Sequence, residues 1–307
     1  MSLHRLTAIT IGVPDPGATA DYYRDFGLTD LGGHRFGTVD GGEQLRLASA
    51  PQRRLLELGI GVHDSDDLAR IGSQLDRLAI AYKAEEGSLT VEDPNSSLTV
   101  VVEIAPEVKQ KPAPAPLTNG PGRHDRTDER ASAISRTEPV RPRKLGHVVI
   151  GSLDQDASQR FFAEGLGFKT SDRVPGLASF MRCSEDHHNV LIQQAPLNFL
   201  HHTAWEVEDV DEVGRGATAM LEGHPDRHVW GLGRHHIGSN FFWYLKDPAG
   251  NFAEYYSDLD CIVDDQLWTP AVIEGAKGLY NWGPPPPPSF LAPEDLAALM
   301  TGSHSAG

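Results

Sequence analysis

The sequence predicts an α+β fold of four similar units, arranged as two tandem halves that each form a curved mixed sheet around a cavity. Residues 6–28 and 145–168 share an apolar run ending in Ile-Gly, then an aspartate and a helix-like stretch with paired aromatics. Such self-similarity indicates a duplicated architecture. Residues 105–143, between the halves, are rich in proline and charge with few large apolar side chains, which is typical of a linker.

Two further matches extend the repeat. Residues 56–68 resemble 201–213, since each is an apolar strand ending in Val-x-Asp and followed by acidic residues suited to a helix N-terminus. Residues 91–103 parallel 245–257, each with Asp-Pro, a turn and an alternating strand. Each half therefore contains two units of a strand, a helix and several strands. The alternation predicts sheets with one face on helices and one on a cavity.

The linker divides the chain into segments. We predict an N-terminal domain over 1–104, a linker over 105–143, a C-terminal domain over 144–260, and an arm and tail over 261–307. Five consecutive prolines in the last segment favour a polyproline II arm packed on the second domain, with a disordered end after about residue 300.

Composition excludes several classes of partner. The 307 residues carry a net charge of −16, from 27 basic and 43 acidic side chains, which argues against nucleic acid or an anionic membrane as a partner. No apolar run of about 18 residues predicts a transmembrane helix, and the first apolar run is too short for a signal peptide. The two cysteines, Cys183 and Cys261, make no disulfide framework, so we expect a cytoplasmic protein.

Histidines are concentrated in the second half, where nine of the 14 lie between residues 147 and 236. The repeat provides an internal control, because a shared structural need would leave the same residue type in both halves. Three metal-competent side chains of the second half instead face other residue types in the first: His147 corresponds to Ala8, His202 to Glu57 and Glu254 to Val100.

Two imidazoles and one carboxylate form the facial triad that holds Fe(II) and leaves three positions open for a substrate and O₂. Zinc hydrolases use the same residue types. The residue types alone therefore predict a metal site without deciding which metal occupies it.

The segment 233–258 carries the most specific motif. It contains Gly-Arg-His, a tyrosine three residues before Asp-Pro, and a glutamate seven residues after that aspartate. In these features the second half resembles the vicinal oxygen chelate superfamily, and within it the type I extradiol ring-cleaving dioxygenases. The resemblance spans about 4–104 and 144–260 and implies four βαβββ modules in two tandem domains, with no metal site in the first.

The resemblance also implies the roles of individual residues. The metal ligands would be His147, His202 and Glu254, holding Fe(II), with Mn(II) as a possible substitute and O₂ as co-substrate. The resemblance gives catalytic roles to three further residues. His188 would be the acid/base, with His187 as an adjacent alternative. His235 would be a hydrogen-bond partner of the substrate, and Tyr244 would donate to a substrate oxygen. We treat His201 and His236 as flanking residues.

The function implied is cleavage of a catecholic ring beside its diol, with both atoms of O₂ incorporated, by an enzyme that commonly forms homo-oligomers. Three alternatives on the same fold stay open. One is a glyoxalase-like lyase, isomerase or thiol transferase, and another is a hydroquinone ring-cleaving dioxygenase. The third is a non-catalytic protein that binds a small molecule.

Overall fold

The first half of the chain forms two βαβββ units. This description rests on a computed structural model that covers residues 3–273 and 278–303. The first unit comprises β1 (Leu3–Val13), α1 (Pro16–Asp25), β2 (Thr29–Gly32), β3 (Arg35–Thr38) and β4 (Gly42–Ser49). The second comprises β5 (Arg54–Val62), α2 (Ser65–Arg77), β6 (Tyr82–Glu85), β7 (Ser88–Glu92) and β8 (Thr99–Ile104).

The second half repeats this order. Its first unit comprises β9 (Lys144–Ser152), α3 (Gln155–Arg160), β10 (Lys169–Val174), β11 (Ala178–Arg182) and β12 (Val190–Gln194). Its second comprises β13 (Phe199–Glu206), α4 (Val210–Leu221), β14 (His228–Arg234), β15 (Phe241–Lys246) and β16 (Phe252–Ser257). Helix α3 continues directly into a π-helical stretch, Phe161–Leu166.

An aspartate begins each of the four repeat helices. Its side chain accepts hydrogen bonds from backbone amides of the first turn, which would otherwise lack partners. The four capping residues are Asp15, Asp64, Asp154 and Asp209.

None of the described helices is long and apolar enough to cross a membrane.

The two sheets have the same topology. Each contains eight strands, in the orders β2-β3-β4-β1-β5-β8-β7-β6 and β10-β11-β12-β9-β13-β16-β15-β14. In the second sheet, β9 and β13 pair antiparallel at the centre, and β16 pairs parallel to β13. The predicted α+β fold of four βαβββ modules is confirmed, and three neighbouring strands carry the predicted metal ligands.

Aromatic side chains join the two halves into one core. The rings of Phe26 and Tyr255 stack with centroids 3.9 Å apart, and the Tyr255 hydroxyl donates to the Phe26 carbonyl oxygen at 2.6 Å. Tyr23 and Trp205 also contact across this boundary, and both are fully buried. The second sheet is therefore supported by the first half of the chain.

The strand register corrects one pairing within the repeat. Glu254 lies opposite Ala204, whereas Val101 lies opposite Gly59, the corresponding residue of β5. The alignment of Glu254 with Val100 was therefore wrong by one residue, because the turn leading into β8 is one residue longer than the turn leading into β16. The counterpart is valine in either register, so the first half still offers no carboxylate there.

The segment 105–143 contains a single short 3₁₀ turn, Ser132–Ser135, and no long element. Ion pairs attach it to both halves. Arg136 pairs with Asp209 at 2.6 Å, and Arg143 pairs with Asp40 at 2.7 Å. It therefore follows a defined path over the surface, although its composition favours an unstructured linker.

Within its described residues, the C-terminal arm contains two short α-helices, α5 (Pro288–Leu291) and α6 (Leu296–Ser303). It packs on the second half, as expected, with Phe290 buried among aromatic rings. It also reaches the first half, where Asp295 pairs with Arg53 at 2.5 Å. Disorder after about residue 300 was wrong as far as Ser303, because α6 extends that far, and residues 304–307 lie outside the described part of the chain.

Candidate active site

Three adjacent strands place the predicted metal ligands together. His147 lies on β9, His202 on β13 and Glu254 on β16, and all three are buried. The Glu254 Oε2 atom lies 3.2 Å from His147 Nε2 and 3.4 Å from His202 Nε2. One donor atom from each side chain falls within 4.8 Å of the others. The cluster therefore offers two nitrogens and one oxygen to a common point.

Unpartnered atoms in this cluster provide a test of whether the residues fit a metal ion. Glu254 is fully buried, yet its Oε2 has no hydrogen-bond partner, and neither does His202 Nε2. Burying such polar atoms unpaired is costly. The other oxygen, Glu254 Oε1, accepts a hydrogen bond from Asn240 Nδ2 at 3.1 Å. The site therefore fits a divalent cation that takes nitrogen and oxygen ligands.

A histidine that the sequence analysis treated as flanking contacts one of these ligands. His201 Nδ1 lies 2.8 Å from His202 Nδ1, and His201 Nε2 lies 2.7 Å from the carbonyl oxygen of Phe290 in the C-terminal arm. Burial lowers the pKa of His201 to about 4 and holds the pKa of His202 well below its usual value. Both imidazoles are therefore neutral at neutral pH.

The pair His187–His188 has the same arrangement. His188 lines the cavity, with its ring centroid 4.2 Å from that of His147. His187 Nδ1 lies 3.1 Å from His188 Nδ1, and His187 Nε2 lies 3.0 Å from Asp172 Oδ2. Burial holds the pKa of His188 well below its usual value, and the neighbouring His147 lowers it further. His188 thus lines the cavity, whereas His187 lies behind it on Asp172.

His235 and Tyr244 line the same cavity and contact each other. The Tyr244 hydroxyl lies 2.8 Å from His235 Nε2, and His235 Nδ1 contacts the carbonyl oxygen of Leu279 in the arm. Burial lowers the pKa of His235. Burial also raises the pKa of Tyr244 well above its usual value, with the Glu254 charge adding to it. Tyr244 therefore stays protonated, while His236 is exposed and stays a flanking residue.

Apart from these groups, the cavity wall is mostly apolar. Its apolar lining consists of Val149, Phe180, Leu191, Ile237, Leu279 and Phe290. No lysine, arginine, aspartate or glutamate is among the described residues that line this space. The empty volume, including the open mouth, is about 470 Å³.

Sequence reasoning missed several supporting residues. Asn240 and Asp172 carry no recognisable spacing, and the carbonyl groups of the arm are invisible to any residue-type argument. His201 left one signal, because His-His doublets occur at 187–188, 201–202 and 235–236. In the first two, the neighbouring histidine contacts the candidate site residue, whereas His236 of the third is exposed.

Comparison with known proteins places the chain. The Glyoxalase/Bleomycin resistance protein/Dioxygenase superfamily matches residues 144–255. Metapyrocatechase 2 of Cupriavidus necator is 30% identical over 303 residues, covering 94% of this chain and 92% of that protein. Biphenyl-2,3-diol 1,2-dioxygenase of Paraburkholderia xenovorans strain LB400 is 28% identical over 285 residues, covering 83% and 88%.

The fold likeness extends over nearly the whole chain. A crystal structure of a Mn(II)-bound glyoxalase from Novosphingobium aromaticivorans superposes with a TM-score of 0.73 at 24% identity, covering 93% of each chain. This likeness concerns the fold alone, whereas the match to metapyrocatechase 2 extends to the sequence of both halves. The chain therefore belongs to the extradiol ring-cleaving dioxygenases of the vicinal oxygen chelate superfamily.

Proposed function

We propose that this protein is a non-haem Fe(II)-dependent extradiol dioxygenase that cleaves a catecholic ring beside its diol. The observation that carries the proposal is the buried cluster of His147, His202 and Glu254 beside an apolar cavity, in which His202 Nε2 and Glu254 Oε2 lack hydrogen-bond partners. The names of the relatives, a metapyrocatechase and a biphenyl-2,3-diol dioxygenase, support a catechol as the substrate.

The three ligands would hold the metal through His147 Nε2, His202 Nε2 and Glu254 Oε2. Bound Fe(II) supplies Lewis acidity toward the diol oxygens and a path for electrons from the ring to O₂. Mn(II) is the alternative metal, since a manganese-dependent 2,3-dihydroxybiphenyl 1,2-dioxygenase is among the relatives. Asn240 fixes one oxygen of Glu254, which leaves the other free to act as ligand.

We assign proton transfer to His188. Its ring lies in the cavity beside His147, and its lowered pKa keeps it neutral and able to accept a proton. Nε2 of His188 takes a proton from a diol hydroxyl as the substrate binds and returns it as the ring opens, so that the residue acts first as a base and then as an acid.

We assign orientation of the substrate to Tyr244 and His235. The raised pKa of Tyr244 keeps its hydroxyl protonated, so this group can turn from His235 Nε2 to donate to a substrate oxygen. The contact of His235 with the Leu279 carbonyl oxygen limits rotation of its ring. A fixed donor and acceptor beside the reacting atoms lower the cost of orienting the diol.

We propose an uncharged catechol rather than a carboxylated one. The described lining offers aromatic and aliphatic surface but no lysine or arginine to pair with a carboxylate. Burying an anion without such a partner costs several kcal/mol. The apolar ring face would instead pack against side chains such as Phe180 and Leu191.

We extend the proposal to the domain boundaries after residues 104, 143 and 260, to a homo-oligomer and to the cytoplasm. The last strand of the first half ends at Ile104 and the first strand of the second half begins at Lys144, which supports the first two boundaries. Exposed apolar side chains of the arm, including Leu267, support self-association. Both cysteines are free, which fits a reducing compartment. Sedimentation equilibrium and cell fractionation test the last two points.

The test of the function loads the full chain with Fe(II) under anaerobic conditions, adds catechol and then admits air. Ring cleavage consumes one O₂ for each catechol and gives a yellow ring-fission product. Binding without O₂ uptake would indicate the non-catalytic alternative. A hydroquinone turned over in place of catechol, or isomerisation of a thiol adduct without O₂, would indicate the other two alternatives.

Two matched variants link this activity to the metal cluster. His147→Ala removes one nitrogen ligand, so we expect both iron content and O₂ uptake to be lost. His228→Ala changes an exposed histidine of β14 outside the cluster and should retain both. Full iron content in His147→Ala would overturn the ligand assignment.

A further inference from the structure

The bulge in β13 brings His201 to a metal ligand. Neighbouring side chains of a regular strand point to opposite faces. The pairing of β13 with β9 moves directly from Leu200 to His202, so His201 is an extra, unpaired residue. Its ring consequently meets that of His202 instead of pointing to the opposite face.

The first half has the same bulge without the histidine. The pairing of β5 with β1 moves from Leu55 to Glu57 and leaves Leu56 as the extra residue. The bulge therefore belongs to the duplicated fold, whereas an imidazole at the bulged position is found beside the metal cluster. This contrast suggests that His201 serves the site rather than the strand.

The hydrogen bonds of His201 determine where its proton lies. The Phe290 carbonyl oxygen accepts only, so His201 Nε2, at 2.7 Å, must carry the hydrogen. A neutral imidazole has one N–H, which leaves His201 Nδ1 as an acceptor. His202 Nδ1, at 2.8 Å, must then donate to it. His202 therefore has no hydrogen on Nε2, the nitrogen that faces Glu254 Oε2.

We propose that His201 is a positioning residue that fixes the tautomer of His202 and so presents its Nε2 lone pair to the metal. The two hydrogen bonds form a chain from His202 through His201 to the carbonyl oxygen of Phe290, which we call the relay. Since Phe290 belongs to the C-terminal arm, the arm takes part in forming the site. The proposal rests on the proposed function, since it takes His202 as a ligand. Partners of this kind typically change metal affinity by about 10- to 100-fold.

Three substitutions of His201 separate this role from simple packing. His201→Phe keeps an aromatic ring among its aromatic neighbours but removes both nitrogens. His201→Asn places an oxygen near the position of Nδ1 and so keeps the acceptor for His202. His201→Gln places an amide near the position of Nε2 and so keeps the donor to the Phe290 carbonyl oxygen.

The first measurement is the dissociation constant of Mn(II), followed by the EPR signal of the free ion. We expect His201→Phe and His201→Gln to bind about 10- to 100-fold more weakly, and His201→Asn to bind close to the native chain. Native Mn(II) affinity in His201→Gln but not in His201→Asn would mean that the residue merely anchors the arm, and would overturn the proposal. Native affinity in all three variants would overturn it as well.

The second measurement needs no metal. Long-range ¹H–¹⁵N spectra of the metal-free, ¹⁵N-histidine-labelled chain report the tautomer of each ring, with His202 assigned by its loss in His202→Gln. We expect a hydrogen on Nδ1 of His202 in the native chain and in His201→Asn, and a mixture of tautomers in His201→Phe. A hydrogen on Nε2 in the native chain would contradict the relay.

The two measurements also separate this inference from the proposed function. If the native chain bound neither Mn(II) nor Fe(II), that result would refute the proposed function and the role of His201 in it, whatever tautomer His202 adopts. If the native chain bound metal and cleaved catechol, and the His201 variants kept native affinity and native spectra, only the proposed role of His201 would be refuted.

Discussion

Nδ1 of His187 lies 3.1 Å from Nδ1 of His188, and Nε2 of His187 lies 3.0 Å from the carboxylate of Asp172. In neutral His187, Nε2 carries the hydrogen because the carboxylate accepts it, and Nδ1 accepts from His188. This places the lone pair of His188 on Nε2, as a proton acceptor in the cavity requires. Asp172 is held in turn by the backbone amide of Ala271 in the arm.

His187→Phe tests this arrangement. The variant removes the acceptor for His188 Nδ1 while leaving the proposed metal ligands untouched, so we expect kcat to fall about 10-fold with unchanged metal content. His188→Phe removes the proposed acid/base itself and should lower kcat by about 100-fold or more. Steady-state O₂ uptake and iron analysis measure both. Native kcat in His187→Phe would show that His188 needs no support from its neighbour.

A buried aspartate outside the metal cluster should give the protein a pH-dependent stability. Burial raises the pKa of Asp247 from 3.8 to about 6. The native state therefore binds this proton more tightly than the unfolded chain does. The resulting stabilisation is complete below about pH 4 and is lost as the pH rises through about 6. At 1.36 kcal/mol per pKa unit, the shift of Asp247 corresponds to about 3 kcal/mol of stability.

Asp247→Asn removes this titration. Asn251 has an unpartnered Oδ1 and can turn its amide to accept from the new side chain. We expect the free energy of unfolding of the variant, minus that of the native chain, to rise by up to about 3 kcal/mol between pH 4 and pH 7. Urea titrations across this range measure it. Asp226→Asn, at an exposed site, is the control, and a flat difference for Asp247→Asn would contradict the prediction.

The fold could be predicted from the sequence because its patterns repeat, and the grouping of His147, His202 and Glu254 could be predicted because these residues differ from their counterparts in the repeat. His147 and His202 occupy strand positions whose counterparts in the first half are other residues, and a strand position fixes which face a side chain takes. The supporting contacts follow no such rule. The contact between His201 and Phe290 depends on a bulge and on the path of an arm outside the repeat, and no residue pattern specifies either. The one-residue error at Val100 arose similarly, from a difference in turn length.

The ion pair between Arg53 and Asp295 should hold the arm on the molecule. The Arg53 side chain is 1% exposed and makes two contacts with Asp295, at 2.5 and 2.9 Å. It also donates to the Leu200 carbonyl oxygen at 2.6 Å, two residues before His202. We expect Asp295→Ala to lower the free energy of unfolding by about 1–3 kcal/mol, because a buried guanidinium loses its main partner.

The same variant should expose the arm to proteolysis. Limited digestion followed by mass spectrometry is expected to show faster cleavage within the arm of Asp295→Ala than in the native chain. Glu294→Ala is the matched control, since that side chain is 78% exposed and its pair with Lys246 is long, at 3.7 Å. Equal cleavage of the two variants would show that the ion pair does not hold the arm.

The apolar cavity should discriminate between substrates of similar size but different charge. In 4-methylcatechol and 3,4-dihydroxybenzoate, a methyl group and a carboxylate occupy the same ring position. The described lining offers no cation to the carboxylate, and an unpaired buried anion costs several kcal/mol. We expect kcat/KM to favour 4-methylcatechol by about 100-fold or more. Leu191→Arg, at a partly exposed position of the wall, should lower the ratio of the two kcat/KM values by supplying the missing cation. Equal kcat/KM values for the two substrates in the native chain would contradict the proposed substrate class.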